Sequence, residues 1–255
     1  MKRIIPIILV GLLIQGCATT LKLEPVATNG QKEIFQEGVE SVMSAKKALV
    51  AIRPLSNTYT SNVRPTIVVS VFNGTDTSFN FSTEDIQAFV DHKPLKVYTY
   101  EELAAEVKHR QACLALAAAL QGVSRSMNAA NAGNTYQSGN YNASVYGSNG
   151  YNAYGSGSYT GYTYNPAAAQ QAQDAANAQT QAEMRNIKFE TERALQGLSS
   201  TILKKTTVFP HSWYGGYVEF EKLEDLTQPH DINILVNASG EQHEFLFKQQ
   251  KVQSK

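Results

Sequence analysis

The strand-like segments of this chain fall into two blocks, and neither is long enough to form a β-domain alone. The first runs from about 46 to 98 and includes the β-branched run 66–72. The second runs from about 205 to 250 and includes the runs 232–236 and 243–247, which flank a Gly-containing turn. Each block would leave one face of its sheet uncovered. We therefore predict one β-domain that is built from both blocks and split by a long insertion.

The spacing of the strand-like segments predicts the class of this domain. Short strands that recur about every 8–12 residues, with Gly, Pro and Asn in the turns, are typical of an antiparallel sandwich. The predicted fold is mainly β with an inserted α part. It is an antiparallel immunoglobulin-like β-sandwich formed by 46–98 and 205–250, split by a helical hairpin with a low-complexity tip over 99–204.

Two long helices are predicted in the insertion. Thr99 and Glu102 have the spacing of a capping box at the start of the first helix. Pro166 is typical of the first turn of the second helix, whose early part is almost all Ala, Gln and Asn. The larger apolar residues of the first helix follow a 3-4-3-4 spacing that predicts a helix seam: Cys113, Leu116, Leu120, Val123 and Met127. We expect the helices to pair as an antiparallel hairpin.

The segment 135–165 between the helices is low in complexity and holds eight of the thirteen tyrosines. Four of them recur at every fifth residue: Tyr136, Tyr141, Tyr146 and Tyr151. That period fits neither a helix face nor one strand face, so no regular structure is predicted. Two interpretations remain open, a disordered linker at the hairpin tip and a contact surface. Tyrosine suits the second, because it offers a flat apolar ring and a hydroxyl group.

Charge is distributed very unevenly along the chain. Lys plus Arg and Asp plus Glu both number 22, so the formal net charge is +0 and there is no electrostatic basis for nucleic-acid binding. From 111 to 182 the only charged residues are Arg125 and Asp174. With no charge to solvate it, the segment could self-associate, contact glycan or lie at a membrane interface if it is not a linker.

The N-terminus has the pattern of a signal peptide over residues 1–16. Lys2 and Arg3 precede an apolar run of 11 residues from 4 to 14, which is too short to span a bilayer as a helix. The run ends in Ile14-Gln15-Gly16-Cys17, a stretch that resembles the lipobox of bacterial lipoproteins. The resemblance implies acylation of Cys17, cleavage before it, and anchoring to a membrane. An ordinary secretory signal with an incidental cysteine is the alternative.

Two further expectations follow for the N-terminal region. Ala18, where an aspartate often marks inner-membrane retention, implies the outer membrane in a host with two membranes. Residues 17–45 are predicted to be a lipidated N-terminus and a flexible tether, because turn formers are frequent there. Once Cys17 is acylated, Cys113 has no partner within the chain, and we interpret it as a small buried apolar residue.

No catalytic or metal-binding motif is found in the sequence. The five histidines lack metal-ligand spacing and are interpreted as surface residues: His92, His109, His211, His230 and His243. No nucleophile motif or phosphate-binding loop is present. We therefore predict a chain that is not an enzyme and that uses no cofactor and no metal.

A cluster of aromatic residues lies beside Gly215 in the second block. Trp213 and Tyr214, with Tyr217 close by, are compatible with core aromatics and with an exposed group that faces a ligand. The sequence leaves both interpretations open.

The sequence favours one function and keeps two others. The main hypothesis is a lipid-anchored cell-envelope protein with a non-catalytic interaction or structural role, whose helical arm and Tyr-rich tip contact an envelope protein or cell-wall glycan. The first alternative is a glycan-binding or hydrolase module on the sandwich. The second, a hairpin that inserts into a membrane, conflicts with its Gln and Asn content.

Overall fold

The computed structural model describes residues 19–28, 30–36, 38–148, 150, 152–226 and 228–252. They divide into two compact units. The β unit comprises the chain up to Leu103 and from Ser199 onward, and the arm unit comprises Ala104–Leu198.

The described part of the β unit contains fourteen strands and one short 3₁₀ helix, Thr83–Asp85. The strands before the arm are β1 (Thr20–Val26), β2 (Gln31–Gln36), β3 (Val39–Ala45), β4 (Ala48–Pro54), β5 (Thr58–Thr60), β6 (Thr66–Asn73), β7 (Phe79–Phe81), β8 (Ile86–Val90), β9 (Lys93–Leu95) and β10 (Val97–Tyr98). The arm holds α1 (Tyr100–Asn131), β11 (Asn134–Tyr146), β12 (Asn152–Tyr164) and α2 (Pro166–Thr201). The last strands are β13 (Thr206–Val208), β14 (Trp213–Phe220), β15 (His230–Ala238) and β16 (Glu241–Lys251).

Twelve of these strands form two six-stranded antiparallel sheets, which pack as a β-sandwich. The strand order is β5-β1-β16-β15-β8-β9 in one sheet and β10-β14-β6-β4-β3-β2 in the other. Residues that alternate along each strand point into one shared core. That core includes Ile52 and Val69 from one sheet and Ile234 and Phe247 from the other, all of them buried.

The two sequence blocks pair with each other across the insertion. β14 pairs with β6, and β15 pairs with β8. β13 pairs with β7 in a separate two-stranded ladder. Each major ladder of the second block therefore completes a sheet that the first block begins.

The flexible tether expected over 17–45 is wrong for the described residues from Thr20 onward. β1 lies between β5 and β16, and Leu21 and Leu23 are buried in the sandwich. β2 and β3 form the edge of the other sheet, joined by a turn that contains Gly38 at a φ of 80°. Apolar Leu21 and Leu23 alternate with charged Lys22, which is the pattern of a strand. The turn formers around this short stretch make the pattern hard to recognise in the sequence.

The caps of the two helices are those that the sequence predicts. The backbone N–H of Thr99 donates to Glu102 Oε2 at 3.0 Å, and the N–H of Glu102 donates to Thr99 Oγ1 at 3.2 Å. Pro166 is the first residue of α2, and Asn165 Oδ1 accepts hydrogen bonds from the next two backbone N–H groups, at 3.1 and 3.2 Å.

The helices of the arm pair antiparallel through small residues, and the predicted seam is wrong. Ala118 and Ala129 of α1 and Ala169 and Ala176 of α2 are buried. The predicted seam residues of α1 are instead exposed: Cys113, Leu116, Leu120, Val123 and Met127. The small residues of α1 therefore face α2, and its larger side chains stay mostly exposed.

The segment between the helices is a β-hairpin and not an irregular linker. β11 and β12 pair over 13 residues each, from Asn134 opposite Tyr164 to Tyr146 opposite Asn152. Both faces are solvent-exposed, so no hydrophobic period of two is imposed on the sequence. A tyrosine period of five is compatible with such a strand, because it places successive rings on alternate faces.

Candidate functional site

The tyrosines of the arm stand on the two faces of the hairpin. Successive side chains of a strand point to opposite faces, and directly paired residues share a face. With the observed register, one face carries five rings and is called here the five-tyrosine face: Tyr136, Tyr146, Tyr154, Tyr162 and Tyr164. The opposite face, called the glycine face, carries Tyr141 and Tyr159.

The rings on the glycine face cover glycines of the neighbouring strand. A Cβ atom at Gly139 would lie 2.6 Å from an atom of the Tyr159 ring, and one at Gly157 would lie 2.7 Å from the Tyr141 ring. Each ring therefore occupies the space that the paired residue leaves empty, the arrangement known as aromatic rescue of glycine. These two tyrosines support the hairpin itself.

The five-tyrosine face is free to make contacts. Its rings are between 58% (Tyr164) and 83% (Tyr162) exposed. Tyr136 and Tyr162 form a cross-strand edge-to-face pair with ring centroids 5.3 Å apart. Tyr146 and Tyr154 are diagonal neighbours near the turn, and no charged residue occurs in either strand.

The structure brings two of the four tyrosines that the sequence singled out onto one face. Tyr136 and Tyr146 share the five-tyrosine face, and Tyr141 is on the glycine face. Tyr151 lies outside the described residues. Sequence reasoning missed Tyr154, Tyr162 and Tyr164 of this face, although a second five-residue series runs through 154, 159 and 164.

An ion pair joins α1 to α2 in the arm. The Arg125 guanidinium donates two hydrogen bonds to the Glu183 carboxylate, at 2.6 and 2.9 Å. This pairing raises the pKa of Arg125 and holds the pKa of Glu183 below its usual range. Arg125, one of two charges between 111 and 182, therefore fixes helix register and leaves its surroundings without a free cation.

A second candidate site is a groove on the outer surface of the β unit beside β14. Trp213 is 55% exposed, and its ring centroid lies 5.2 Å from that of Phe72. The interpretation of Trp213 as a core aromatic is therefore wrong. Tyr214 points the other way: it packs against the core and its hydroxyl donates to Lys204 O at 2.5 Å.

The groove next to Trp213 has a volume of about 490 Å³. Its lining combines apolar and hydroxyl groups, from Val68, Ser70, Thr201 and Tyr217 among others. Gly215 is needed at its floor, because a Cβ atom there would lie 2.5 Å from Val69 O. An exposed indole beside hydroxyl groups suits stacking on a sugar ring.

The comparisons with known proteins add no further guide. No protein-family model, curated protein or solved structure matches this chain. Function is therefore inferred from the five-tyrosine face and from the groove beside Trp213.

Other sequence-predicted positions differ from expectation. His230 and His243 are buried, so the interpretation of all five histidines as surface residues is wrong. Cys113 is exposed on α1 and not buried. Within the described residues no group of three or more His, Cys, Asp or Glu side chains could hold a metal ion, and no helix is long and apolar enough to cross a membrane. Cys17 lies outside the described residues.

Proposed function

We propose that this chain is a lipid-anchored cell-envelope protein with a non-catalytic interaction role, in which the five-tyrosine face contacts an envelope protein or cell-wall glycan. One observation carries the proposal: five tyrosine rings stand exposed on one face of a charge-free hairpin. Contiguous exposed apolar surface is uncommon on proteins without partners and marks interaction sites.

The chemistry of the face supports a contact role. Each tyrosine offers a rigid ring with only two side-chain torsions, so ordering it on binding costs little entropy, and its hydroxyl can hydrogen-bond at the rim of an interface. An isolated two-stranded hairpin is marginally stable in water. A partner that covers one face would stabilise it further.

The anchoring part of the proposal is supported by the lipobox-like Ile14-Gln15-Gly16-Cys17. Attached acyl chains would hold the protein at the envelope, at the outer membrane in a host with two membranes. Cells grown with a labelled fatty acid should incorporate label into the full chain and not into Cys17→Ser. Label in both proteins would contradict lipidation at Cys17.

The β unit is further proposed to be immunoglobulin-like. We infer an enlarged immunoglobulin-like sandwich, supported by two antiparallel sheets that share one core. The short strands β5, β9 and β10 lie at sheet edges, where additions to such a fold are expected. Comparison of an experimentally determined strand order with that of immunoglobulin domains tests this classification.

Crosslinking in intact cells tests the interaction role. The full chain is compared with a variant in which 135–165 is replaced by a short Gly-Ser turn, and crosslinked partners are identified by mass spectrometry. We expect the replacement to abolish capture, because it removes both faces of the hairpin. Unchanged capture would contradict the contact role, and an unchanged fluorescence melt of Trp213 would show that the β unit is intact.

The exposed Trp213 favours a second candidate function, a glycan-binding or hydrolase module at the groove. In this case Trp213→Ala should abolish binding on a glycan array. Phe35→Ala is the matched control, because Phe35 is an exposed aromatic residue at 76% on β2. Binding that survives Trp213→Ala and is lost with the hairpin would exclude the groove and favour the five-tyrosine face.

A further inference from the structure

α1 carries an apolar stripe that no described residue covers. We define the α1 stripe as Cys113, Leu116, Leu120, Val123 and Met127. The last four side chains are 55–65% exposed, and the cysteine is exposed as well. This surface is separate from the five-tyrosine face, and its role does not depend on the proposed function.

The stripe does not take part in the pairing of α1 with α2. The residues that face α2 include Ala118, Gly122 and Ala129. At about 100° per residue, the centre of the stripe lies roughly 160° around the helix from that small-residue face. The helix is therefore apolar on two sides. Among the described residues the small-residue side packs against α2, whereas the stripe is mostly exposed and only its Val123 and Met127 line a groove shared with α2.

The spacing of the stripe identifies the kind of partner that fits it. Intervals of 3, 4, 3 and 4 residues keep side chains on one line when two helices supercoil about each other. Beside the stripe, a groove of about 640 Å³ is lined by Ala119, Val123, Met127 and, from α2, Thr180. Such a groove can receive the side chains of another helix.

The absence of charge beside the stripe suits an identical helix. Between Arg110 and Arg125 no residue of α1 is charged, and Arg125 is engaged by Glu183. A charged partner would gain no complementary contact, whereas an identical stripe would meet no repulsion. We propose that a second copy of this chain pairs with the first, stripe against stripe, through α1.

Capture between two tagged copies tests the pairing. Full chains with different tags are co-expressed, and one tag is used to capture the other. Wild-type copies should co-purify, and Leu120→Glu with Val123→Glu in both copies should reduce co-capture about tenfold or more, because buried charges would face each other. Asn128→Glu is the matched control on an exposed position away from the stripe. Equal co-capture for the stripe and control variants would overturn the proposal.

Disulfide formation in intact cells gives an independent result. In a Cys113→Ser background, Leu120→Cys should form a dimer with a 120–120 disulfide, whereas Asn128→Cys and the background chain should not. Equal dimer yields at 120 and 128 would overturn the pairing. The chain with 135–165 replaced by a Gly-Ser turn should still self-associate. Loss of partner capture without loss of the dimer would separate partner contact by the five-tyrosine face from self-association through the α1 stripe.

Discussion

At the scale of single residues, His243 is a buried histidine with only half of its hydrogen bonding satisfied. Its Nδ1 lies 2.9 Å from Ser44 Oγ, and its Nε2 has no partner among the described residues. Burial lowers the pKa of His243 below its ordinary value of 6.5, and nearby Lys46 lowers it further. The side chain is therefore neutral inside the folded sandwich at pH 7.

This histidine predicts a pH dependence of stability. Because the folded-state pKa is depressed, the unfolded chain takes up the proton first as the pH falls. The full stability is present above about pH 6.5 and is lost as the pH decreases below that value. Urea unfolding followed by Trp213 fluorescence should give a lower midpoint at pH 5.5 than at pH 7.5, and His243→Gln should reduce the difference. His92→Asn, at an exposed turn, is the control and should keep the full difference in midpoint. If His243→Gln also keeps the full difference, other groups cause the pH dependence.

The buried side chain of Asn73 forms hydrogen bonds that hold a turn of the β unit to a neighbouring strand. Its Nδ2 donates to Thr77 O at 2.8 Å and to Val208 O at 3.1 Å. Its Oδ1 accepts from the N–H and the hydroxyl of Thr75, at 3.0 and 2.8 Å. The fully buried side chain thus joins the turn after β6 to the end of β13, on the far side of the insertion.

Replacing this side chain should weaken the junction of the two sequence blocks. Asn73→Ala removes four hydrogen bonds at a fully buried position, and we expect a loss of about 2 kcal/mol or more in unfolding free energy. The measurement is urea unfolding of the full chain. Asn57→Ala, at an exposed position, should change stability by less than about 0.5 kcal/mol. Equal effects of the two substitutions would contradict the role of Asn73.

At the scale of elements, the helix pair depends on residues with little or no side chain. A Cβ atom at Gly122 would lie 2.8 Å from Thr180 Cγ2, so the threonine side chain occupies the space that the glycine leaves empty. Large apolar residues usually indicate a helix interface, but in α1 they do not form the main contact with α2. A seam of Ala and Gly has little hydrophobic contrast with an Ala-rich helix, so sequence alone does not reveal it.

Gly122→Val should separate the helices locally. We expect a loss of about 1–3 kcal/mol in arm stability from overpacking, seen as faster hydrogen exchange in α1 and α2. Ser124→Val, at an exposed position on the same helix, controls for the helix propensity of valine. A smaller change, Gly122→Ala, should also speed hydrogen exchange, because its methyl group would contact Thr180. Adding Thr180→Ala to that chain should partly restore protection from exchange. Similar exchange in the Gly122→Val and Ser124→Val chains would show that the seam is loosely packed.

The hairpin shows why part of the candidate site escaped sequence reasoning. Tyr136, Tyr141 and Tyr146 were identified from their spacing, but their division between two faces depends on the pairing of β11 with β12. Trp213 was recognised as aromatic, yet its exposure is set by strand register. A shift of one residue along β14 would exchange it with Tyr214.

At the scale of the whole molecule, the β class and the inserted helices were predictable because they follow from strand texture, caps and chain length. The strands within 20–45 were not, since Gly30, Gly38 and other turn formers are frequent there although the alternating leucines of β1 are buried. Burial of these residues depends on partners such as β16, more than 200 residues away in sequence. Local patterns cannot report such pairings.

We propose that the five-tyrosine face binds a partner and that this binding does not depend on the stability of the fold. The most direct test is the yield of crosslinked partner captured by the full chain from intact cells, with and without Tyr146→Ser and Tyr154→Ser. Asn142→Ala with Ser156→Ala is the matched control, because these residues form a directly paired position on the same face. We predict a loss of about tenfold or more for the tyrosine variant, unchanged capture for the control, and the same melting temperature for all three chains. Equal capture by the tyrosine variant and the wild-type chain would contradict the claim.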